Sequence, residues 1–275
     1  MTSLPRARRF DWNNLGVRAV SGLVLAVVAL CAVWFDARLF LILVAVAVSL
    51  LSIEWGVMAA PRTPIRVATV MTMAVLTVVF LAYTGRYWPA WAFLVLGALA
   101  AAAVARGGSE RAIDAAYGVF YIAPACLALI WLRATNQGAG WTVMLFAVTW
   151  ACDIFAFLVG SALKGPKLWP KYSPNKTWSG FFGGLAGAVG VAVAIAASPL
   201  MQLSLAGAAL IGLAGGLATM AGDLWESMLK RRFGVKDSGD LIPGHGGLLD
   251  RVDGLMFAVM VFAAARLVVY FGWAH

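Results

Sequence analysis

Charged side chains are scarce in this sequence. Only 12% of its 275 residues are Asp, Glu, Lys or Arg, whereas ordinary soluble domains carry roughly 25%. Apolar residues make up 63% of the chain, and a soluble domain of this size cannot bury that much apolar surface. The composition therefore excludes the water-soluble classes and predicts an integral membrane protein.

Cysteine is also scarce. Cys31, Cys126 and Cys152 lie in apolar stretches, with neither the spacing of a metal site nor the density of a disulfide framework. We expect them to be small buried hydrophobic side chains. The formal net charge is +9, but the basic residues are scattered between apolar runs and form no continuous stripe. No nucleic-acid partner is expected.

Long apolar runs dominate the chain. A bilayer core of ~30 Å requires about 20 apolar residues. Segments of about that length lie near residues 15–35, 39–60, 65–84, 88–105, 114–132, 141–161, 180–199, 203–222 and 254–273. The first follows three arginines, as in a signal peptide, but its length and the lack of a small-residue cleavage site favour a spanning anchor.

These runs predict an all-α, polytopic integral membrane protein with about nine transmembrane helices. With the N-terminus inside, 17 of the 21 basic residues fall on the inner face and three on the outer face. The positive-inside rule thus predicts an N-in, C-out orientation in the cell's inner or plasma membrane. No internal repeat is evident, so residues 1–275 are expected to form one domain.

The two long inner segments, 162–179 and 223–253, hold most of the lysines. Residues 150–255 and the cytoplasmic face are therefore expected to carry any chemistry.

Glycines cluster in two of the predicted spans. They are Gly180, Gly183, Gly184, Gly187 and Gly190, followed by Gly212, Gly215 and Gly216. Such spacings let helices approach closely. We expect packing between helices of the same chain, with a homodimer interface as the alternative.

Two acidic residues fall within apolar spans, where a charge costs ~2.5–3.5 kcal/mol on insertion scales. Glu54 is expected to pair with Arg62 or Arg66. Asp153 is expected either to face a polar cavity open to the cytoplasm or to form a buried pair. Four other acidic residues lie at membrane edges, where solvation is cheap, and are assigned no role: Asp11, Asp36, Glu110 and Asp114.

The remaining six acidic residues lie between positions 223 and 253: Asp223, Glu226, Asp237, Asp240, Asp250 and Asp253. Asp223 is predicted to end an apolar helix, with Ser227 one turn further on the same face. Asp250 and Asp253 are predicted to share a face at the start of the last span. Hard carboxylate and hydroxyl oxygens, with one histidine and no cysteine nearby, suit Mg²⁺.

Cations surround these acids, namely Lys230, Arg231, Arg232, Lys236 and Arg251. Carboxylates for Mg²⁺ and cations for phosphate oxygens are the groups that phosphoryl or nucleotidyl transfer requires. Between them, the glycines of residues 243–247 (PGHGG) suit a loop whose N–H groups face a phosphate. The lysines of the other inner segment, Lys164, Lys167, Lys171 and Lys176, could hold either phosphate or anionic lipid headgroups.

One motif spans 27 residues without a gap, from position 227 to 253. Its members are Ser227, Leu229, Lys230, Arg231, Lys236, Asp237, Gly239, Ile242, Pro243, His245, Gly246, Gly247, Leu248, Asp250, Arg251, Val252 and Asp253. This pattern resembles the signature of the bacterial phosphatidate cytidylyltransferase (CDP-diacylglycerol synthase) family. The resemblance extends to Arg18, Asp153, Gly222–Asp223 and the stretch 173–180. Asn175, Ser179, Ile154 and Ser161 depart from the usual family residues.

The resemblance implies that CTP and phosphatidic acid become CDP-diacylglycerol and pyrophosphate, with membrane lipid as a partner. It implies a Mg²⁺ centre, with K⁺ as an optional second cation, held by Asp223, Ser227, Asp250 and Asp253. The implied catalytic set is these four residues and Lys230. The implied substrate-binding set is Asp153, Lys176, Arg231, Lys236, Asp237, His245, Gly246, Gly247 and Arg251.

Two alternatives remain open from the residues. A CTP-dependent polyprenol or phytol kinase would share the metal and nucleotide features. A transporter is compatible with Glu54, Asp153 and the glycine-interrupted spans. However, transporters usually place polar sites at the midplane between inverted repeats, and here the polar residues gather at one face.

Overall fold

The computed structural model describes residues 12–239 and 246–270. Within these ranges the chain forms nine α-helices and one short hairpin. The helices are α1 (Trp12–Phe35), α2 (Ala37–Ala59), α3 (Pro64–Tyr83), α4 (Tyr87–Gly107), α5 (Ala112–Ala134), α6 (Gly138–Leu163), α7 (Trp178–Ala196), α8 (Leu205–Arg232) and α9 (Leu249–Tyr270). Strands β1 (Lys167–Trp169) and β2 (Ser173–Thr177) pair antiparallel between α6 and α7.

Eight helices, α2 to α9, are long and apolar enough to cross a bilayer. Large apolar side chains remain exposed on the outside of the bundle, such as Trp88, Phe157 and Ile65. A surface of this kind is suited to lipid contact. The predicted all-α, polytopic membrane fold is therefore confirmed, with eight candidate spans among the described residues where the sequence predicts about nine.

Two helix ends differ from the prediction by five residues or more. Helix α8 continues to Arg232, and α9 begins at Leu249, whereas the predicted spans end at 222 and begin at 254. Residues 223–232 contain no glycine or proline and are rich in good helix formers. The prediction that Asp223 ends a helix is thus wrong, because hydropathy marks where apolar residues stop and not where the helix stops.

The helices form two groups. Helices α2 to α5 pack on one another, α6 to α9 form the second group, and α5 joins them by packing against α6 and α9. In the second group α6 and α8 end, and α7 and α9 begin, at one face of the bundle. The β1–β2 hairpin, which connects α6 to α7, belongs to this face.

Glycines bring the helices of the second group close together. A Cβ atom at Gly184 would lie 2.7 Å from the carbonyl oxygen of Cys152, on α6. A Cβ atom at Gly222, on α8, would lie 2.4 Å from the carbonyl oxygen of Asp253, on α9. These positions confirm the prediction of packing within the chain, although Gly190 has no such neighbour within 4 Å.

Candidate active site

A cavity of about 950 Å³ opens at the face where α6 and α8 end. Helices α6 to α9 and the hairpin line it, and its ionisable groups are balanced in sign. Five are acidic, namely Asp153, Asp223, Glu226, Asp250 and Asp253. Five are basic, namely Lys164, Lys167, Lys176, Lys230 and Arg251. The sequence separates these residues by up to 100 positions, and the fold gathers them around one space.

Sequence spacing explains how two helices present most of the acidic groups. Asp223, Glu226 and Lys230 are three and four residues apart on α8, so they follow one face of the helix. Asp250 and Asp253 are three apart in the first turns of α9. The close approach of α8 and α9 at Gly222 brings these two faces together.

Lys230 connects the two helices. Its Nζ donates to Glu226 Oε2 at 3.1 Å and to Asp250 Oδ1 at 2.5 Å. The second oxygen of Asp250, Oδ2, accepts from the backbone N–H groups of Ser238 at 3.2 Å and Gly247 at 3.3 Å. Asp250 is therefore oriented by one cation and by two loop amides.

Lys176 connects the hairpin to α8. Its Nζ forms an ion pair with Asp223, and both side chains are partly exposed. At the base of the hairpin the Ser179 hydroxyl donates to the Lys164 carbonyl oxygen, and Lys167 Nζ donates to the Asn175 carbonyl oxygen at 3.4 Å. The basic segment therefore lies against α8 at the edge of the cavity.

The other predicted site residues are placed as follows. Asp153 lines the cavity, which is one of its two predicted alternatives. Ser227, Arg231, Lys236, Asp237, Gly246 and Gly247 are not among the lining residues. Gly246 has a positive φ of 80°, which favours glycine, and Gly247 contributes the N–H to Asp250. His245 and Asp240 lie outside the described residues. The functional roles of all these residues stay predictions.

The structure contradicts the predicted pairing of Glu54 with Arg62 or Arg66. It does not pair with Arg62, whose backbone N–H donates to Glu110 Oε1 at 2.5 Å and whose Nη1 donates to the Ser109 carbonyl oxygen at 2.9 Å. Arg66 is exposed. Glu54 instead accepts hydrogen bonds from the loop before α9 and from the start of that helix. The C-terminal end of α2 faces this loop, a contact between distant segments that local charge spacing does not reveal.

Asp114 also differs from its prediction as a solvated edge residue. Only 3% of its side chain is exposed, and it forms ion pairs with Arg232 of α8 and, at 3.9 Å, with Arg111. Because α5 packs inside the bundle, its first turn is covered. The sequence places Glu226 in the acidic cluster but gives it no role. In the structure it is 1% exposed, and its Oε1 has no hydrogen-bond donor in the described parts of the chain.

The donor set of the cavity fits a hard divalent cation. Five carboxylates line it, and carboxylate oxygens are the atoms that Mg²⁺ prefers in proteins. One buried oxygen of Glu226 has no hydrogen-bond donor among the described residues. Across residues 12–239 and 246–270, no three acidic, histidine or cysteine side chains already form a metal-ligand cluster. Lys176 and Lys230 instead neutralise Asp223 and Asp250.

A bundle of membrane-spanning helices with a cavity of carboxylates and lysines at one face is the architecture expected of a membrane enzyme that handles phosphate groups. Residues 16–269 match the model of the cytidylyltransferase family. The chain therefore belongs to the cytidylyltransferase family, and as such it is an enzyme.

Relatives agree with this assignment. A protein named phosphatidate cytidylyltransferase from Brucella abortus is 39% identical over 264 residues, covering 94% of each chain. A protein of the same name from Pseudomonas aeruginosa is 33% identical over 264 residues, covering 90% of this chain and 95% of its own. The family resemblance carried by the motif at 227–253 is thereby confirmed.

Proposed function

We propose that this protein transfers the cytidylyl group of CTP to phosphatidic acid, which gives CDP-diacylglycerol and pyrophosphate. The observation that carries the proposal is the cavity of five carboxylates and five cations at a membrane face of a cytidylyltransferase-family chain. Full-length relatives named phosphatidate cytidylyltransferase support the choice of phosphatidic acid. Family membership leaves the transporter alternative without support.

The lining of the cavity suits the two proposed substrates, the amphiphilic phosphatidic acid and the highly charged CTP. Lys164, Lys167 and Lys176 offer cations for phosphate oxygens at the hairpin. Phe157 and Phe181 line the same cavity, and Phe157 is 72% exposed. A lipid could therefore place its phosphate beside the lysines while its acyl chains stay against apolar side chains.

The reaction needs positioning more than proton transfer. An oxygen of the lipid phosphate attacks the α-phosphorus of CTP, the new P–O bond forms, and the bond to the β-phosphate breaks to release pyrophosphate. A phosphate monoester is mostly a dianion above its second pKa of roughly 6, so the attacking oxygen requires no general base. Lys176, Lys230 and Arg251 would hold the phosphates and neutralise their charge.

Mg²⁺ is the proposed cofactor, with K⁺ as an optional second cation. Asp223, Asp250 and Asp253, which line the cavity, would hold it. Ser227, one turn beyond Asp223 on α8 but not among the lining residues, is the fourth proposed ligand. When bound, the cation draws negative charge from the CTP phosphates. Because Lys176 and Lys230 pair with Asp223 and Asp250, these lysines would exchange carboxylate partners for phosphate oxygens as the substrates enter.

The proposed location of the site is the cytoplasmic face of the cell's inner or plasma membrane. Helices α6 and α8 end at this face, and the lysine-rich segments lie there. The excess of basic residues on the same side favours the inner face. The proposal keeps the N-in, C-out orientation that the distribution of basic residues predicts.

The test is incorporation of label from α-³²P-CTP into lipid by the purified protein given phosphatidic acid. We expect label in lipid with Mg²⁺ and none with EDTA. Asp250→Asn should lower the rate about 100-fold, the scale on which a lost electrostatic contact acts in catalysis. Asp36→Asn is the matched control, because Asp36 caps α2 through Arg38 N at 2.5 Å and asparagine caps helices equally well.

Absence of label in lipid from folded protein would reject cytidylyl transfer to this substrate. Label that enters an isoprenoid alcohol from γ-³²P-CTP instead would identify the kinase alternative.

A further inference from the structure

We infer that Glu54, on α2, is a positioning residue that fixes the carboxylate of Asp250 through the backbone of the intervening loop. The inference rests on the proposed function, in which Asp250 holds the metal. Glu54 lines no part of the cavity and belongs to the other group of helices. It therefore acts on the site through its contacts with Ser238 and with residues 247–249.

Glu54 is buried and fully engaged. Only 2% of it is exposed. Its Oε1 accepts from Leu248 N at 2.6 Å, and its Oε2 accepts from Leu249 N at 2.7 Å and from the Ser238 hydroxyl at 3.2 Å. Leu248 and Leu249 stand at the start of α9, where amide groups have no partner within the helix. A carboxylate from α2 thus caps α9 and stabilises the positive end of its dipole.

The same short backbone segments also hold Asp250. Ser238 donates its hydroxyl to Glu54 and its N–H to Asp250 Oδ2. Gly247 donates its N–H to the same Asp250 oxygen and packs tightly against the side chains of Ser238 and Glu54. A Cβ atom there would lie 1.9 Å from Ser238 Oγ and 2.9 Å from Glu54 Oε2. Any movement of Glu54 would therefore shift both amides that orient Asp250.

The contacts require a carboxylate. Three donors converge on two oxygens, and glutamine of the same size offers one oxygen and one NH₂ group. In Glu54→Gln at least one backbone N–H of the α9 start would face an NH₂ group instead of an acceptor, and a buried donor left without a partner is costly. The loop would move to relieve this contact, and Asp250 would move with it.

The experiment compares metal binding and metal dependence in the full-length protein. Mn²⁺ binding is measured by the loss of the free-ion electron paramagnetic resonance signal. The Mg²⁺ concentration for half-maximal cytidylyl transfer is measured alongside. We expect Glu54→Gln to weaken Mn²⁺ binding and to raise the half-saturating Mg²⁺ about tenfold, since groups that orient metal ligands act on this scale. Ser238→Ala, which removes one donor only, should shift both in the same direction but less.

Asp114→Asn is the matched control. Asp114 is 3% exposed, and in the described part of the chain its side chain pairs with Arg111 and Arg232, not with Ser238 or residues 247–249. Its loss should lower thermal stability and leave both metal measurements unchanged. A merely structural role for Glu54 would give the same result as this control.

The inference is overturned if Glu54→Gln and Ser238→Ala bind Mn²⁺ as tightly as the wild type and differ from it only in a lower yield of folded protein. Wild-type protein that binds no Mn²⁺ would overturn it as well. If Glu54→Gln does not fold, Ser238→Ala decides. Wild-type protein that binds Mn²⁺ but transfers no cytidylyl group would refute the proposed function, while the comparison of Mn²⁺ affinities would still decide the role of Glu54.

Discussion

The contact between α8 and α9 gives a sharp prediction, because it involves backbone atoms that cannot move aside. In Gly222→Ala the new Cβ would lie 2.4 Å from the Asp253 carbonyl oxygen and 3.0 Å from Gly254 Cα. Ordinary van der Waals contact begins at 3.4 Å, so the helices must separate by about 1 Å at this point. Asp223 and Asp253, which adjoin the contact on either side, would separate with them.

Two effects should follow from Gly222→Ala. Overpacking of a tight contact costs about 1–3 kcal/mol, which a thermal unfolding scan in detergent would detect. A displacement of about 1 Å at a catalytic centre can lower the rate about 100-fold, which the α-³²P-CTP assay would detect. The loss of rate should persist at temperatures where the variant is fully folded.

Gly190→Ala is the matched control for Gly222→Ala. Gly190 lies on α7 and is exposed, and a Cβ atom there would meet no other atom within 4 Å. Alanine favours a helix by about 1 kcal/mol over glycine, so this variant should be at least as stable as the wild type and fully active. Wild-type activity in Gly222→Ala would refute the idea that this contact sets the geometry of the site.

The ion pairs give two further predictions. Lys230→Met should destabilise the protein by about 3 kcal/mol, the scale for breaking a buried pair, since it leaves Glu226 and Asp250 facing each other. The double variant Lys230→Met/Glu226→Gln should regain part of the lost free energy of unfolding, as measured by chemical denaturation. If it regains none, the carboxylates of Glu226 and Asp250 do not repel each other in Lys230→Met. Asp114→Asn should cost about 1–3 kcal/mol, because the buried Asp114 side chain loses the charge that pairs with the exposed Arg232. The rate of cytidylyl transfer should not change, and an unchanged melting temperature would contradict the prediction.

Much of the fold could be predicted from the sequence. Apolar runs of membrane length located nine helices, since a span must exclude charge over its whole length. The glycine clusters predicted close packing, because a missing side chain is itself the contact surface. The acidic cluster at 223–253 contains the acidic residues of α8 and α9, and these do line one cavity with Lys176 and Asp153.

Long-range polar contacts could not be predicted from the sequence. Glu54 and Leu249 are 195 positions apart, and no local pattern connects a carboxylate on one helix with the first amides of another. The same holds for Asp114 and Arg232, 118 positions apart. An ionisable residue in an apolar span could be recognised as significant, but its partner depends on which helices become neighbours.

The bond between Glu54 and the start of α9 bears on how modular this protein is. Every residue that lines the cavity comes from position 152 onward, so the second half of the chain could be taken for a self-contained catalytic unit that the first half merely anchors. Yet the amides at the start of α9 find their acceptor on α2. A chain shortened to α6–α9 would keep all lining residues and lose the group that closes that helix end. Substitutions that tune the chemistry should therefore be sought in both halves.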